Sequence, residues 1–447
     1  MTFPSDVRSR LPLVQIMSFE LNNPVPYQLS VDDELLDITK KKLQFARYPE
    51  EQEDIAHGDW NQGAKVEVVR RLADYWKNGY DWRAEEVLSK ACGLPALHRW
   101  SWPPCQATIN SEFNSFKVKV DVLGYGPQVL HYAHQRSSRV DALPLLIVHG
   151  WPGSFLESRK LIKPLTEPSS PATQAFHLII PSLPGYGPGD APAKSGFGPV
   201  RTARGFKQLM VETLGYQRFV TQGGDWGAWV VRSMAMQYPE HVRACHHNFV
   251  PCGPPPWYKA PLTMGRLMLS PFLYSRAEKK GTERLKYYMK EQNGYLKQQS
   301  TRPQSLGFGL GDSPLGLLAW LVEKYHEWMD LDHYEMPDDE ILAFVMMHWV
   351  QGATPGLRYY KAAFSETEDS GTQKAFTVYH STPIGVSCFP MEIMAPPRDW
   401  VSHIANVQFW REHTAGGHFP HVECPDKLVS DIRDFFLMEV IKSTLKG

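Results

Sequence analysis

Six cysteines among 447 residues are few, and no two of them form a C-x-x-C pair. Cys92, Cys105, Cys245, Cys252, Cys388 and Cys424 are scattered, so neither a disulfide framework nor a thiolate metal site is indicated; free thiols in a reducing compartment are expected. Charge of one sign is also lacking, since 47 basic side chains meet 48 acidic ones. That balance excludes the basic stripe that draws a protein to nucleic acid or to an anionic membrane. No long apolar run opens the chain: the best, Leu11 to Met17, is interrupted by Pro12 and Gln15. Neither a signal peptide nor a membrane anchor is implied, and a cytoplasmic location is expected. No G-x-G-x-x-G opens a helix and no phosphate loop occurs, so no nucleotide cofactor is expected. The histidine pairs His131 and His134, His246 and His247, and His418 and His421 have no carboxylate or cysteine at supporting spacing, and no H-E-x-x-H is present. No metal is expected either.

What the chain does carry is aromatic: 14 Trp, 19 Tyr and 21 Phe. That stock suits a well-filled core and an apolar substrate cavity. Residues 1–140 are polar and helical in tendency, with Val69, Leu72, Ala73 and Trp76 on one helix face,. From 143 the texture changes to short apolar runs alternating with amphipathic stretches, the pattern of a parallel sheet with crossover helices. LPLLIVHG (143–150), HLIIPSLPG (177–185) and RFVTQGG (218–224) read as strands, with ACHHNFVP (244–251) a further short one. Helices are expected at about 203–214 and 226–238. Residues 253–364, rich in Tyr, Met and Leu at helical spacing, read as an inserted lid that includes a helix capped near Asp338. The sheet resumes with PIGVSCFP (383–390) and NVQFWREH (406–413), and a helix at about 426–443 closes the chain. The domain reading is therefore an extension at 1–140, a core at 141–252 and 365–447, and a lid between.

In open α/β sheets the reactive groups follow the carboxyl ends of strands. Those positions here hold His149-Gly150-Trp151-Pro152-Gly153, Gly223-Gly224-Asp225-Trp226-Gly227, Phe389-Pro390-Met391-Glu392 and Gly416-Gly417-His418-Phe419. The order is nucleophile, acid, histidine, as in hydrolases whose nucleophile sits on a strand-to-helix elbow, with Asp225 where that motif usually carries serine. Small residues at 223 and 227 let strand and helix approach closely. The Trp226 amide and one from Trp151 are candidate donors to an oxyanion. His149 reads as a brace of its turn, not a proton carrier.

The aspartate selects the chemistry. A serine attacking saturated carbon would form an ether that activated water cannot cleave. A carboxylate forms an ester, whose Cγ stays open to water delivered by His418. Displacement at sp³ carbon, of an epoxide oxygen or a halide, is thus favoured over ordinary ester hydrolysis. An epoxide oxygen leaves as an alkoxide and wants an acidic donor, for which the lid tyrosines Tyr295 and Tyr360 are candidates that spacing alone does not single out. A halide would want indole N–H donors instead.

The elbow GGDWG, the loop HGWPGSF, the segment FPME, the motif GGHF and the lid's GYLKQQ and DSPLGLLAWLVEKYHEW together resemble the microsomal-type epoxide hydrolases of the α/β-hydrolase superfamily. DDELLDITKKKLQFARYP and LADYWKNGYDWR resemble that family's N-terminal meander, so the likeness runs from about Phe19 to Phe436. It implies an α/β-hydrolase fold with a mainly parallel central sheet, an inserted helical lid and a meander extension. It implies Asp225 as nucleophile, His418 as base and Glu392 as the acid orienting it. It also implies Tyr295 and Tyr360 as the pair that polarises the oxirane, Tyr360 by the match of RYYK, where Tyr359 is the adjacent alternative. The implied activity converts an apolar epoxide and water to a vicinal diol without a cofactor. A dehalogenase or a ring-opening biosynthetic enzyme with the same Asp-ester chemistry, and a non-catalytic binding protein, are the alternatives. A homodimer is a further expectation, and the missing anchor resembles soluble fungal-type members. Residues 94–130, rich in Trp and Pro, depart from the family pattern.

Overall fold

A computed structural model describes residues 19–52, 59–86, 108–365 and 372–446. The apolar run Leu11 to Met17, Cys92, Cys105 and the first part of the 94–130 segment lie outside them.

A nine-stranded sheet organises the chain: β1 (Val25–Pro26), β2 (Ser115–Val122), β3 (Gly126–Gln135), β4 (Leu143–Val148), β5 (Phe176–Pro181), β6 (Phe219–Gly223), β7 (Val242–His247), β8 (His380–Cys388) and β9 (Ala405–Glu412). Their order is β1-β2-β3-β5-β4-β6-β7-β8-β9. From β5 to β9 every pairing is parallel, and β1, β2 and β3 add an antiparallel edge. The central strands are nearly continuous apolar runs because helices cover both faces, and Leu145, Leu146, Ile147, Val148, Phe219 and Val220 are all buried,.

Register brings the chemistry together. Val148 lies opposite Gly223 in the β4–β6 pair, so the HGWPG loop and the elbow emerge side by side. Cys388 lies opposite Glu412, which sends the loops carrying Glu392 and His418 out of the sheet as neighbours. Between β7 and β8 the described residues form helices and no strand, from Pro261 to Phe376. This insertion covers the carboxyl ends of the strands.

Two expectations need correction. The helical tendency assigned to the first 140 residues fails at β2 and β3, a hairpin whose alternation places Val118, Val120 and Val122 inward while Lys117, Lys119 and Asp121 stay less buried. That period of two was present in FKVKVDV, but the polar average of the region hid it. The closing helix breaks after Phe436 and restarts at Glu439. The helix expected to be capped near Asp338 is present as Asp338–Gln351, with Pro337 as its N-cap. Val69, Leu72, Ala73 and Trp76 are buried together on the helix Val66–Asn78, as the periodicity predicts. That helix is tied to the lid by the Arg71–Asp338 ion pair and by Tyr75 Oη donating to Asp339 at 2.6 Å.

Among the described residues no single helix is long and apolar enough to cross a membrane. The helices Pro303–Asp312 and Pro314–Trp328 pass such a test only jointly, across a bend of 114°. The second of them buries Leu317, Leu318, Leu321 and Val322 inside the protein.

Candidate active site

The elbow is strained, and small residues accommodate it. Asp225 adopts φ of 43°, in the left-handed region that side chains other than glycine rarely occupy,. A Cβ added at Gly227 would lie 1.8 Å from the Val148 carbonyl oxygen, and one at Gly223 would lie 2.6 Å from the Gly227 backbone. Only glycine permits either approach. The turn lifts the Asp225 carboxylate above the sheet, at the start of the helix Asp225–Gln237. Its Oδ1 accepts the Trp151 N–H at 2.8 Å, and its Oδ2 lies 3.5 Å from His418 Nε2. Trp226 occupies the first turn of the same helix, where backbone amides have no intrahelical acceptor,.

His418 is held from several sides. Its backbone N–H donates to the Trp328 carbonyl at 2.8 Å, and the preceding Gly416 N–H donates to Asp330 at 2.7 Å. Glu423 accepts from the Phe419 and Asp330 amides at 2.9 and 2.7 Å. The ring donates from Nδ1 to Glu392 Oε1 at 2.6 Å, an oxygen that also accepts the Ile393 N–H at 2.7 Å. Phe249, Trp328 and Phe419 meet the imidazole edge-on at 5.6, 5.1 and 5.1 Å. Burial among these rings would lower the imidazole pKa, but Glu392 and then Asp225 outweigh it and lift the value to about 10,.

Two lid phenols complete the site. The Tyr295 ring stacks on Trp151 at 5.2 Å, and the Tyr360 ring stands edge-on to Trp151 at 5.7 Å and to Trp226 at 4.7 Å. Tyr295 Oη is 3.0 Å from Tyr288 Oη, while Tyr360 Oη is buried without a protein hydrogen bond. Burial raises the pKa of both phenols well above the usual tyrosine value, with Asp225 adding to the rise, so both remain protonated donors. Tyr359 meets Thr202 Oγ1 at 3.0 Å and sets its ring edge-on to Trp226 at 5.5 Å. Of the RYYK pair, Tyr360 is the ring that stands against Trp151. Tyr325 and His348, also from the lid, both donate to the Pro152 carbonyl, at 3.0 and 2.8 Å, and fix the loop that presents Trp151.

His149 accepts the Leu183 N–H at Nε2, 3.0 Å away, and donates from Nδ1 to Gly150 O at 3.0 Å. Burial pulls its pKa down to about 4, so it braces the turn as a neutral ring. A cavity of about 550 Å³ opens elsewhere, between residues 191–197 and the lid, and is lined by Tyr359, Arg358 and Lys361 but not by Asp225.

Residues 144–280 match the alpha/beta hydrolase fold family, and residues 24–92 and 96–158 match the family of the epoxide hydrolase N terminus. Epoxide hydrolase 1 of Sus scrofa is 31% identical over 432 residues, covering 92% of this chain and 88% of its own. The chain belongs to the epoxide hydrolase family. The solved epoxide hydrolase of Aspergillus niger is 31% identical and superposes with a TM-score of 0.76, covering 92% of this chain and 96% of that one. The juvenile hormone epoxide hydrolase of Bombyx mori, 24% identical with a TM-score of 0.79 over 96% of each chain, shares the fold.

In this epoxide hydrolase the structure brings together all seven of the side chains and amide positions marked in the sequence: Trp151, Asp225, Trp226, Tyr295, Tyr360, Glu392 and His418. It also adds residues that sequence reasoning missed. Tyr288 stands seven residues before Tyr295 in a separate helical segment, Tyr288–Gln292, so helical spacing does not mark it. Glu157, Asn248 and His421 line the small space beside Asp225 and His418, and Gln222 bonds the last two of them. Among the described residues no cluster of His, Cys, Asp or Glu is arranged to hold a metal ion.

Proposed function

We propose that this epoxide hydrolase opens an apolar oxirane by attack of Asp225 and completes turnover by hydrolysing the resulting ester. One observation carries the reading: a single carboxylate is flanked by a backbone N–H at 2.8 Å and an imidazole at 3.5 Å, beneath two protonated phenols. Tyr295 and Tyr360 donate to the epoxide oxygen, so the charge that develops as the C–O bond breaks falls on an oxygen already hydrogen-bonded. Asp225 attacks the ring carbon from the opposite side, giving a hydroxyalkyl ester. His418, oriented by Glu392, then takes a proton from water as the water adds to Cγ. The Trp151 amide, together with that of Trp226, stabilises the tetrahedral oxyanion. Walls of Trp151, Trp328, Phe249 and Phe419 suit an apolar substrate.

The test is a single turnover in ¹⁸O-labelled water with enzyme in excess. The first diol is expected to be unlabelled, its new oxygen drawn from Asp225, with the label appearing in the Asp225 carboxylate. Solvent label in that first diol excludes the ester. Substitution of the phenols separates the two steps. Tyr295→Phe and Tyr360→Phe are each expected to slow ring opening by on the order of 10²-fold, the lower range for a positioned acid. Stopped-flow measurement should find ester hydrolysis little changed. If neither substitution slows ring opening, the phenols are not the donors.

A further inference from the structure

Behind Asp225, on the side of His418, is a small polar cavity of about 10 Å³ lined by Gly150, Trp151, Glu157, Gly224, Asp225, Asn248, His418, Phe419 and His421. That volume is about what the centre of one water molecule needs. The cavity is fed by a buried chain of side chains that the mechanism above leaves idle. Gln222 Nε2 donates to Asn248 Oδ1 at 2.9 Å, and His421 Nε2 meets Gln222 Oε1 at 2.9 Å. Gln222 offers His421 a carbonyl, so His421 Nε2 carries the proton and Nδ1 is left as an acceptor. Asn248, having given its carbonyl to Gln222, is left with Nδ2 as a donor. Both leftover atoms are buried without a protein hydrogen bond. Reversing both amides would exchange which residue donates and which accepts, yet would still present one donor and one acceptor.

Glu157 closes the far wall. A Cβ at Gly153 would lie 1.4 Å from Glu157 Oε1, so the loop leaves that position bare to admit the carboxyl group. The other oxygen, Oε2, lies 3.8 Å from His421 Nδ1. That separation is too long for a direct hydrogen bond. Nor is the contact an ion pair: burial pushes Glu157 up to about 8 and pulls His421 down to about 3, so both are neutral at neutral pH. Buried polar groups without partners are costly, which makes a water-sized space between them a built site.

We infer that this cavity holds the water that hydrolyses the Asp225 ester, and that Asn248 and His421 are its positioning residues, with Glu157 closing the wall behind it. The inference rests on the ester reading given above. The water oxygen accepts from Asn248 and donates one proton to His421, which leaves its second O–H for His418 Nε2 and a lone pair for Cγ of Asp225. As the new C–O bond forms, His418 takes that proton. When the tetrahedral adduct collapses, the bond from Cγ to the alkyl oxygen breaks, and His418 passes its proton to the departing diol. The remaining proton, released as Asp225 ionises, restores the phenol that protonated the ring oxygen.

The experiment is rapid acid quench of enzyme mixed with styrene oxide, followed by intact mass, which reads bound ester against time. Asn248→Leu and His421→Leu are expected to form ester at the wild-type rate and to hydrolyse it about tenfold more slowly, the effect of one lost hydrogen bond. Ester should therefore accumulate. The amplitude of ester formation reports that each variant is folded. If the leucine variants form no ester, Asn248→Ser and His421→Asn carry the same comparison. A full ester burst followed by wild-type hydrolysis in the Asn248 and His421 variants places the water elsewhere and overturns the inference. Absence of any ester in a His418→Gln enzyme overturns the ester reading itself, a different result in a different variant.

Discussion

Asp225→Ala is expected to reduce turnover by at least about 10⁴-fold, the scale on which removal of a covalent nucleophile is felt. No other carboxylate can take over. Glu392 is buried and committed to His418 Nδ1 at 2.6 Å. Glu157 forms the far wall of the small cavity, with one oxygen folded against Gly153. Neither faces the phenols across a substrate's width. The variant should nonetheless fold, because the elbow's shape is set by Gly223, Gly227 and the β4–β6 register, none of which needs the carboxylate. Alanine at φ of 43° adds strain of about 1 kcal/mol, since aspartate tolerates the left-handed region somewhat better,. A thermal midpoint close to wild type, together with loss of diol formation by chromatography, is the expected pair of results. Diol formation within 100-fold of wild type would move the nucleophile elsewhere.

The parts of this site legible in the sequence are those where chemistry or backbone geometry restricts the residue type. Asp225 between two glycines declares itself because the elbow admits nothing larger at 223 and 227, and because an acid in a serine's place changes the fate of the intermediate. His418 and Glu392 follow from strand order. Tyr295 and Tyr360 are different: any of 19 tyrosines satisfies the chemistry. Only family likeness marks these two, and only the helix orientation, which sends Tyr359 to Thr202, separates Tyr360 from its neighbour. Gln222, Asn248 and His421 were illegible because their relation is purely tertiary. They come from the end of β6, the turn after β7 and the short helix Pro420–Glu423, and no sequence period connects them. The β2–β3 hairpin was missed for another reason: its alternation is local, and averaging over 140 residues erased it.

His418→Gln should trap the enzyme as its ester. Ring opening needs the Asp225 carboxylate and the two phenols, all of which remain, so the variant should add the mass of one substrate per chain. Release of diol should then slow by about 10³-fold, within the range for loss of a general base. Charge explains why the wild-type residue becomes a base only at the right moment. In the free enzyme Glu392 and Asp225, acting against burial, lift its pKa to about 10, so it holds a proton at neutral pH. Esterification removes the charge of Asp225 and with it part of that lift. The pKa then falls, the proton is lost, and Nε2 can accept from water. Hydrolysis of preformed ester should therefore decline as pH drops through this lowered value, which lies below about 10, while ring opening shows no such requirement. Stability offers an independent check with a definite sign. A group raised on folding from 6.5 to about 10 contributes fully below 6.5 and loses that contribution as pH rises through about 10,. The thermal midpoint of the free wild type should thus fall across this window more than that of His418→Gln, which has no proton to lose. Parallel midpoints in the two proteins would show that His418 is already neutral in the free enzyme, and the charge switch at Asp225 would have to be abandoned.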